Sequence, residues 1–557
     1  MSQKLNSFLY ILATLFFLII LYEINSYGSN IPVNDYWEGI KISLGADNKI
    51  SAVKVFETQN HHLQLLPKII YYLNIKFFAG NDFVLKYITI FFVLIQIALL
   101  YKMARETLDC SYKRAISFVF ITFYSFTPLA IDSFSYGYSG THWILANLMA
   151  VLTLYCFYHR KEKPTLYLPI LILSGGIAAT SHSTGIMVLP ALILVYFLAY
   201  RPPFKYTLII AILGVLVVSV CALFVFNVFE NPPTEHISNI FPVIFFGVIM
   251  SGISAGNAAI AALLGSCILF FMFKISLNLN NSSDVREKEV QLFWIGVAIY
   301  CLFCIIAFGF ARIDTGGASY VQYSRYQSLP ALLLISAFIL FIKNKSINSK
   351  ILIISAVIAS MSLTYNKGVS YFNLYRYSQE LNDLNRYSLA IEEDFAYNFF
   401  ISGLSKDEMA KTSEKSVAFL NEYKNIPYNP SKWNMCEQVI HSKSSIDANS
   451  SDMKVKGHLV DIKWDHKDSW NPKYKEIIID GSASEPWECL LVVNKENDII
   501  GAGQPAKYMF DFLYDSLGYE MGQSLYRLII PNDHEAINII AFDNVNKQPT
   551  SYPLVIE

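Results

Sequence analysis

Long apolar segments recur through the first two thirds of the chain, and they constrain its fold more than any other feature. Each is long enough to cross a hydrocarbon core about 30 Å thick, which takes roughly 20 helical residues, or fewer where flanking side chains extend to the interface. Of the 557 residues, 54% are hydrophobic and only 16% are charged, a composition that excludes a soluble enzyme of this size. The sequence predicts a polytopic α-helical membrane protein with about eleven spans. The apolar runs are Phe8–Tyr22, Phe83–Tyr101, Ala115–Ile131, His142–Tyr158, Thr165–Thr180, Ile186–Tyr200, Thr207–Phe229, Ala255–Phe273, Val290–Phe310, Gln327–Ile342 and Ile351–Tyr365.

Basic residues predict the orientation of these spans. Lysine and arginine in short loops collect on the cytoplasmic side of membrane proteins. Here they occupy alternate gaps, whereas the short gaps between hold almost none apart from Arg312 and Arg325. The sequence therefore predicts that the amino terminus is inside, and that a long first loop (residues 23–82) and everything after residue 365 are outside. The basic gaps contain Lys102, Arg105, Lys113, Arg114, Arg160, Lys161, Lys163, Arg201, Lys205, Arg286, Lys288, Lys343, Lys345 and Lys350.

Two further segments are apolar without adding a span. Phe241–Ser254 adjoins the next run, and the two together are too long for one crossing. It is predicted to lie in the interface or to re-enter from the outer side. Leu66–Phe78 mixes apolar with basic and polar residues, which is typical of an amphipathic helix on the outer leaflet.

The chain after the last span is polar, and its pattern changes at about residue 433. Residues 366–432 are rich in Leu, Tyr, Glu and Lys at helical spacing, which predicts a helical connector. Short β-branched runs separated by Asn, Asp, Gly and Pro then predict a β-sandwich over residues 433–557. We therefore expect a membrane domain over residues 1–365, followed by an extracytoplasmic α+β region that ends in the sandwich.

Cysteine and charge add two expectations. Cys436 and Cys489 both lie in the polar C-terminal region, and we predict that they pair if it faces an oxidising compartment. The other six cysteines lie in or beside apolar runs, where they are expected to act as small buried hydrophobes. The net charge of −1 gives no indication of a nucleic-acid partner.

Polar and aromatic residues concentrate in the predicted outer loops, whereas charges are scarce in the middle of the apolar runs. An ion-coupled transporter ordinarily needs ionisable groups at membrane depth, so this class is disfavoured. In the first loop Asp35 lies three residues before Glu38, and Glu57 lies four before His61, so each pair would share one face of a helical turn. Later loops add Asp132, His142, His182, Arg312, Asp314 and Arg325. These four loops predict an active site at the outer leaflet, open to lipid and to water.

Several motifs resemble those of the GT-C superfamily of membrane glycosyltransferases, and more narrowly the phage and bacterial serotype-converting glucosyltransferases that modify O-antigen. The matching pieces are Asp35-Tyr36-Trp37 after the first span, Asn60-His61-His62 ahead of Pro67, the Tyr136-Gly137 turn before Trp143, Ser183-Thr184-Gly185, and Ser324-Arg325-Tyr326 at the head of a span. The resemblance covers roughly the membrane half of the chain. Relatives often have Asn-Glu-His at the second motif, where this chain has two histidines, which leaves the acid of that motif to Glu57.

The resemblance implies transfer of a hexose, with glucose expected, from undecaprenyl phosphate to O-antigen or another surface glycan. It places the protein in the bacterial inner membrane with its C-terminal domain in the periplasm. Asp35, or else Glu57, would be the general base for the acceptor hydroxyl. Arg325, or else Arg312, would stabilise the phosphate of the departing carrier. The implied substrate-binding residues also include Tyr36, Trp37, Glu38, Asn60, His61, His62, Tyr138, His182 and Tyr326.

Each of these residues has a structural alternative. Asp35 could cap a helix after the loop turn. Arg325 could anchor a span at the interface. His142 and His182 could be satisfied polar groups at span ends, and the adjacent histidines of the first loop could be structural hydrogen-bonders.

The function also has alternatives. A flippase or exporter of lipid-linked oligosaccharides would place polar residues along a path through the bundle and would form no glycosidic linkage. A glycan polymerase or ligase would share the outer-face arrangement and differ mainly in its donor. No cofactor is expected, and the loop acids show no ligand spacing that requires a divalent metal.

Overall fold

The computed structural model describes most of the predicted spans and the C-terminal strands. The described residues are 3–28, 36, 51, 53–54, 64–78, 80–200, 240–252, 258–279, 285–316, 324–343, 353–365, 368–369, 371–372, 375, 436, 448–451, 455–460, 474–481, 487–495, 498–505, 524–531, 538–543 and 549–556. The chain divides into two compact units, of which the first takes in residues 1–26, 51–74 and 83–372 and the second residues 27–50, 75–82 and 373–557. The finer three-part division stays a prediction.

The described residues up to position 365 are almost entirely helical. Backbone groups in hydrocarbon must bond to one another because no water is present to satisfy them, and a helix achieves this within one segment. The helices are α1 (Gln3–Tyr27), α2 (Leu65–Phe78), α3 (Asp82–Thr107), α4 (Ser111–Ser125), α5 (Ile131–Ser135), α6 (Gly137–His159), α7 (Pro164–Ser181), α8 (Val188–Tyr200), α9 (Ile240–Ser251), α10 (Ala258–Asn278), α11 (Val285–Gly316), α12 (Ser328–Lys343) and α13 (Ile353–Tyr365). Short 3₁₀ turns lie at Pro128–Ala130, Ser183–Met187 and Ser324–Tyr326.

Nine helical segments among the described residues are long and apolar enough to cross a membrane. They coincide with nine of the predicted runs. Of the other two, residues 207–229 lie outside the described part of the chain, and residues 351–365 contain the shorter helix α13. A helical architecture suited to multiple membrane crossings is therefore confirmed, while the number eleven and the orientation stay predictions.

The candidate spans differ in how much of each is covered by protein. The segments that contain α4, α6, α11 and α12 are buried over 72–83% of their apolar stretch, whereas α1 and α10 are buried over 22%. The outer helices expose large apolar side chains, among them Ile172 (72%) and Phe270 (68%). A soluble protein would not leave such surfaces to water. The central helices thus form the packed core, and the outer ones present a surface that suits lipid.

Both of the additional apolar segments are helical. Helix α2 matches the predicted amphipathic segment, and α9 occupies most of the segment predicted to lie in the interface or to re-enter. Helix α9 packs closely against α10, because a Cβ atom on Gly252 would lie 1.9 Å from the Ala261 carbonyl oxygen, and one on Gly265 would lie 2.0 Å from that of Val248. Small residues permit this backbone approach, as is common between membrane helices. The position of α9 in the membrane stays a prediction.

Eight strands form the described part of the polar C-terminal region, and they pair into one sheet. The strands are β1 (Asn449–Ser450), β2 (Val455–Val460), β3 (Tyr474–Gly481), β4 (Trp487–Val493), β5 (Ile499–Pro505), β6 (Ser524–Pro531), β7 (Asn538–Asp543) and β8 (Pro549–Ile556). Their order is β1-β8-β2-β3-β6-β5-β4-β7, and β7 also pairs with β8, so that seven strands close a ring. The predicted sheet is present, whereas a sandwich of two sheets is not confirmed by the pairing of the described strands.

The sheet has an apolar core in which Trp487 is the largest side chain. Its backbone N–H donates to the Tyr526 hydroxyl at 2.9 Å, and the two rings lie 5.0 Å apart. The buried hydroxyl therefore has a partner, as a polar atom in a core requires. The other core residues are Val455, Ile477, Ile479, Leu490, Val492, Ile500, Ile539 and Ala541.

Cys436 and Cys489 form a disulfide across 53 residues of sequence. They are the two cysteines that the sequence analysis pairs. Cys489 lies in β4 beside the core residue Leu490, and successive strand residues point to opposite faces. The bond therefore attaches the segment that contains Cys436 to the face of β4 that points away from this core.

We expect peptide mapping of the purified full-length protein, alkylated without reduction, to find Cys436 joined to Cys489. The paired change Cys436→Ser and Cys489→Ser should destabilise the C-terminal region by about 2–4 kcal/mol, because the bond restricts the unfolded chain. Cys267→Ser, at an exposed free cysteine, is the control and should leave the unfolding midpoint unchanged. Two free thiols at positions 436 and 489 would refute the pairing.

Candidate functional site

Three of the four polar segments predicted to converge do meet at one end of the helix bundle. They are the start of α6, the end of α7 with the 3₁₀ turn that follows it, and the 3₁₀ turn before α12, and α2 joins them. We call the rings that they bring together the imidazole–aromatic cluster. Its members are Tyr71, Tyr138, His142, Trp143, His182 and Tyr326.

Two stacked histidines form the centre of this cluster. The rings of His142 and His182 lie 5.2 Å apart and within 9° of parallel, and each residue is only 5% exposed. The Trp143 ring lies 3.9 Å from His182 and 5.2 Å from Tyr326. Aromatic faces of this kind are surfaces on which apolar faces of ligands pack, while the ring nitrogens supply polar contacts.

His182 owes its position to the turn in which it lies. It is the extended residue that ends α7 and caps the 3₁₀ turn Ser183–Met187. Its Nδ1 accepts from the backbone N–H of Thr184 at 3.2 Å and lies 3.0 Å from the Thr184 hydroxyl. Because Nδ1 is an acceptor here, the ring is neutral and its proton is on Nε2. His182 is therefore held as a donor at Nε2.

His142 has the opposite tautomer. The Tyr71 hydroxyl donates its one proton to the Tyr138 carbonyl oxygen at 2.7 Å, so it can only accept from Nδ1 of His142, which lies at 3.2 Å. In the neutral ring this leaves Nε2 of His142 as an acceptor. The stacked pair thus contains one Nε2 donor and one Nε2 acceptor, the two kinds of partner that a hydroxyl group can bond to. Both Nδ1 atoms bond to nearby residues. This agrees with the alternative in which the two histidines are satisfied polar groups at span ends.

Helix α2 connects to the cluster through an unusual backbone conformation. Gln64, the residue before α2, is buried and has a φ of 49°, in the left-handed region that side chains other than glycine seldom adopt. Its Oε1 accepts from the Tyr138 hydroxyl at 3.0 Å, and the Tyr138 ring stacks on Tyr71 at 4.5 Å. Such a conformation costs on the order of 1 kcal/mol and recurs at functional sites.

The Ser324-Arg325-Tyr326 turn is fixed by hydrogen bonds to α5. The backbone N–H of Asp132 donates to the Ser324 hydroxyl at 3.0 Å, and the Ser133 hydroxyl donates to the Arg325 carbonyl oxygen at 3.2 Å. The Arg325 guanidinium lies 5.3 Å from the Tyr326 ring. These contacts place a cation at the edge of the cluster. Its role in binding phosphate stays a prediction.

A chain of neutral polar side chains supports the cluster from within the bundle. The Tyr300 hydroxyl donates to the Asn147 oxygen at 2.8 Å, and the Asn147 amide donates to the Ser328 hydroxyl at 3.0 Å. The Cys304 thiol donates to the Thr184 carbonyl oxygen at 3.3 Å. These bonds join α6, α11 and α12 to the turn that holds His182, and they satisfy buried polar groups without introducing charge.

The structure describes only some of the residues proposed from the sequence. His182, Tyr138, Tyr326 and Arg325 lie in or beside the cluster. Tyr36 is a buried helical residue of the second unit, and Arg312 lies in α11. Outside the described residues lie the two proposed bases and most of the first-loop motif, namely Asp35, Trp37, Glu38, Glu57, Asn60, His61 and His62.

Sequence reasoning missed part of the cluster. Tyr71 and Gln64 were not singled out, and His142 and Trp143 were given no role in binding. One sequence feature could have indicated that His142 belongs to the site. It lies about one turn into a span that begins with small and polar residues. Within the described part of the chain, no three or more His, Cys, Asp and Glu residues are grouped to bind a metal.

No family model, curated protein or solved structure matches this chain. Its function is therefore inferred from its own residues.

Two glycines allow the helices around the cluster to approach one another. A Cβ atom on Gly185 would lie 1.8 Å from the Ala178 carbonyl oxygen, and one on Gly140 would lie 1.9 Å from that of Ser133. Backbone atoms cannot move aside as a flexible side chain can, so neither position tolerates a methyl group without displacement of the chain. The turn that positions His182 thus depends on Gly185.

We predict that Gly185→Ala destabilises the protein by about 1–3 kcal/mol, the usual cost of overpacking, through this collision with α7. Gly176→Ala is the control, because that glycine lies in α7 itself, close in sequence to Gly185, and has nothing within 4 Å of its Cβ position. It should be neutral or stabilising by up to about 1 kcal/mol. Thermal unfolding of both variants in the same detergent measures the difference, and equal midpoints would contradict the close packing.

Proposed function

We propose that this protein is a membrane glycosyltransferase that transfers a hexose, with glucose expected, from undecaprenyl phosphate to O-antigen or another surface glycan. The observation that carries the proposal is the convergence of three predicted outer segments into one imidazole–aromatic cluster at the end of the bundle. A sugar presents apolar ring faces and hydroxyl groups, and aromatic rings and imidazole nitrogens are the kinds of side-chain group that bind them. The resemblance in sequence motifs supports the same class.

In the proposed reaction, an acceptor hydroxyl attacks the anomeric carbon of the donor sugar. The bond between that carbon and the phosphate oxygen breaks, a glycosidic bond forms, and undecaprenyl phosphate leaves with the bonding electrons. Asp35 or Glu57 would take the hydroxyl proton, since a neutral hydroxyl is a poor nucleophile. Arg325 or Arg312 would offset the negative charge that develops on the phosphate. The sheet domain would help to hold the glycan acceptor.

The location of charge favours bond-making over ion-coupled transport. In the described candidate spans, Asp, Glu, Lys and Arg occur only near the helix ends. The middle of the bundle instead contains neutral pairs, such as Thr153 with Ser174 at 2.8 Å. Ion coupling ordinarily uses ionisable groups at membrane depth. We propose the arrangement predicted from the basic loops, in which the site faces the periplasm and the amino terminus the cytoplasm.

We predict that surface glycan from cells with the gene carries a hexose that is missing without it. Asp35→Asn or Glu57→Gln should reduce this modification by about 10²-fold or more, because a general base contributes 10²–10⁴-fold. Asp47→Asn removes the same charge from the same loop and is the control, with wild-type product expected. If both variants insert into the membrane and the product is unchanged, neither residue is the general base. Transport of lipid-linked glycan without a new linkage would favour a flippase.

A second prediction separates the chemistry of His182 from its capping role. Asparagine is a good cap and can accept from the Thr184 N–H, but it lacks an imidazole. We expect His182→Asn to keep the thermal midpoint within a few degrees and to reduce hexose transfer by about 10–100-fold, as loss of a hydrogen bond to substrate would. Ile172→Ala, on the exposed face of the same helix, should leave transfer unchanged. Wild-type activity of His182→Asn would show that the ring is structural.

A further inference from the structure

A second polar site lies at the opposite end of the helices that carry the cluster. A cavity of about 200 Å³ opens where α6 and α8 end and α11 begins. Its apolar wall consists of four buried side chains, those of Leu154, Val195, Leu292 and Phe293. At about 30 Å³ per water-sized group, it has room for a phosphodiester with the atoms next to it.

The rim of this cavity is cationic. Among the residues that the structure describes, Arg160, Lys161 and Lys288 line it together with a single carboxylate, that of Glu289. Lys161 pairs with Glu289 at 2.7 Å, and this hydrogen bond raises the pKa of Lys161 above its ordinary value, so the lysine stays charged at neutral pH. The carboxylate is thereby neutralised. Within the described part of the chain, Arg160 and Lys288 have no ion-pair partner.

Aromatic rings and a hydroxyl hold the Arg160 guanidinium at this rim. Its central carbon lies 3.7 Å from the Phe157 ring and 5.4 Å from the Tyr200 ring, and the guanidinium donates to the Tyr200 hydroxyl and to the Phe157 carbonyl oxygen. Stacking orients the planar donors, which match two oxygens of a phosphate. The side chain is thus pre-organised for an anion. No carboxylate of the described residues offsets its charge, which also favours binding of an anion.

We propose that this cavity binds the headgroup of an anionic phospholipid. Arg160 and Lys288, which pair with no carboxylate of the described residues, recognise the phosphate, and the apolar wall accommodates the first part of an acyl chain. The cavity lies at the ends of three candidate spans and is bordered by Tyr158 and Tyr200, residues typical of the headgroup level. Basic pockets between membrane helices are used in this way by lipid-binding proteins. A freely soluble phosphate would not need the apolar wall.

The test is native mass spectrometry of the full-length protein in detergent, titrated separately with phosphatidylglycerol, with phosphatidylcholine and with inorganic phosphate. We expect phosphatidylglycerol to bind at least tenfold more tightly than phosphatidylcholine, with affinity that falls as salt is added. Arg160→Gln and Lys288→Gln should each weaken it about fivefold. Glu289→Gln should strengthen it, because it removes the one negative charge of the rim.

Lys163→Gln is the matched control, since Lys163 is an exposed lysine in the same loop and is not part of the cavity lining. It should bind phosphatidylglycerol as the wild type does. If Arg160→Gln fails to fold, Lys288→Gln alone carries the test, because no ion pair with a described residue is lost. Equal binding of both lipids, equal loss in Lys163→Gln, or displacement of bound lipid by inorganic phosphate would each overturn the proposal.

Discussion

Satisfaction of polar groups away from water is the constraint on which this structure depends. In hydrocarbon each backbone N–H and C=O must bond within the protein, which imposes helices on the apolar two thirds of the chain. Several polar side chains inside the bundle obey the same rule, as Tyr300 does by bonding to Asn147 at 2.8 Å. Charged side chains of the described spans lie near helix ends, and a buried one can bond to the protein there, as Lys113 does to the Ile342 carbonyl oxygen. Charged chemistry is therefore confined to the two ends.

The two ends of helix α6 differ in the chemistry of the side chains that meet there. Where α6 begins, the cluster has stacked imidazoles, aromatic rings and neutral hydrogen bonds, with Arg325 at its edge. Where α6 ends, Arg160 and its neighbours form a cationic rim over an apolar cavity. The first arrangement is the proposed site for a sugar beside a phosphate, and the second is the proposed site for an anionic headgroup. One bundle thus supports a proposed reaction at one surface and a proposed lipid contact at the other.

The geometry of the cluster is held by elements that offer little freedom. Gly185 allows the turn after α7 to contact the helix backbone, and His182 caps that same turn. Gln64 accepts a left-handed conformation and bonds to Tyr138. The Gln64 conformation carries a local cost that the surrounding packing must offset. Such over-determined positions keep side chains in one orientation, which binding and catalysis both require.

Local pattern predicted the elements well, because helices and strands are specified by short-range periodicity. The run His142–Tyr158 lies inside α6, and the described strands β1 to β8 all lie within residues 433–557, where the β-branched runs predicted strands. Contacts between distant segments were less predictable. His142 could equally have been an isolated polar residue at a span end, and only its stacking on His182, forty residues later, gives it a place in the site. The pairing of β7 with β8, which closes the sheet, likewise has no local signature.

The sequence by itself therefore determined where the chain is helical, which segments could cross a membrane, where the strands lie and which residue types occur at the helix ends. It could do so because hydropathy and periodicity act over one turn or one strand. Only the tertiary structure decided which of those ends meet, which tautomer each histidine adopts, and where a cavity opens between helices. Those features depend on the packing of segments far apart in the chain. The sequence of a single apolar run does not specify which other runs it packs against.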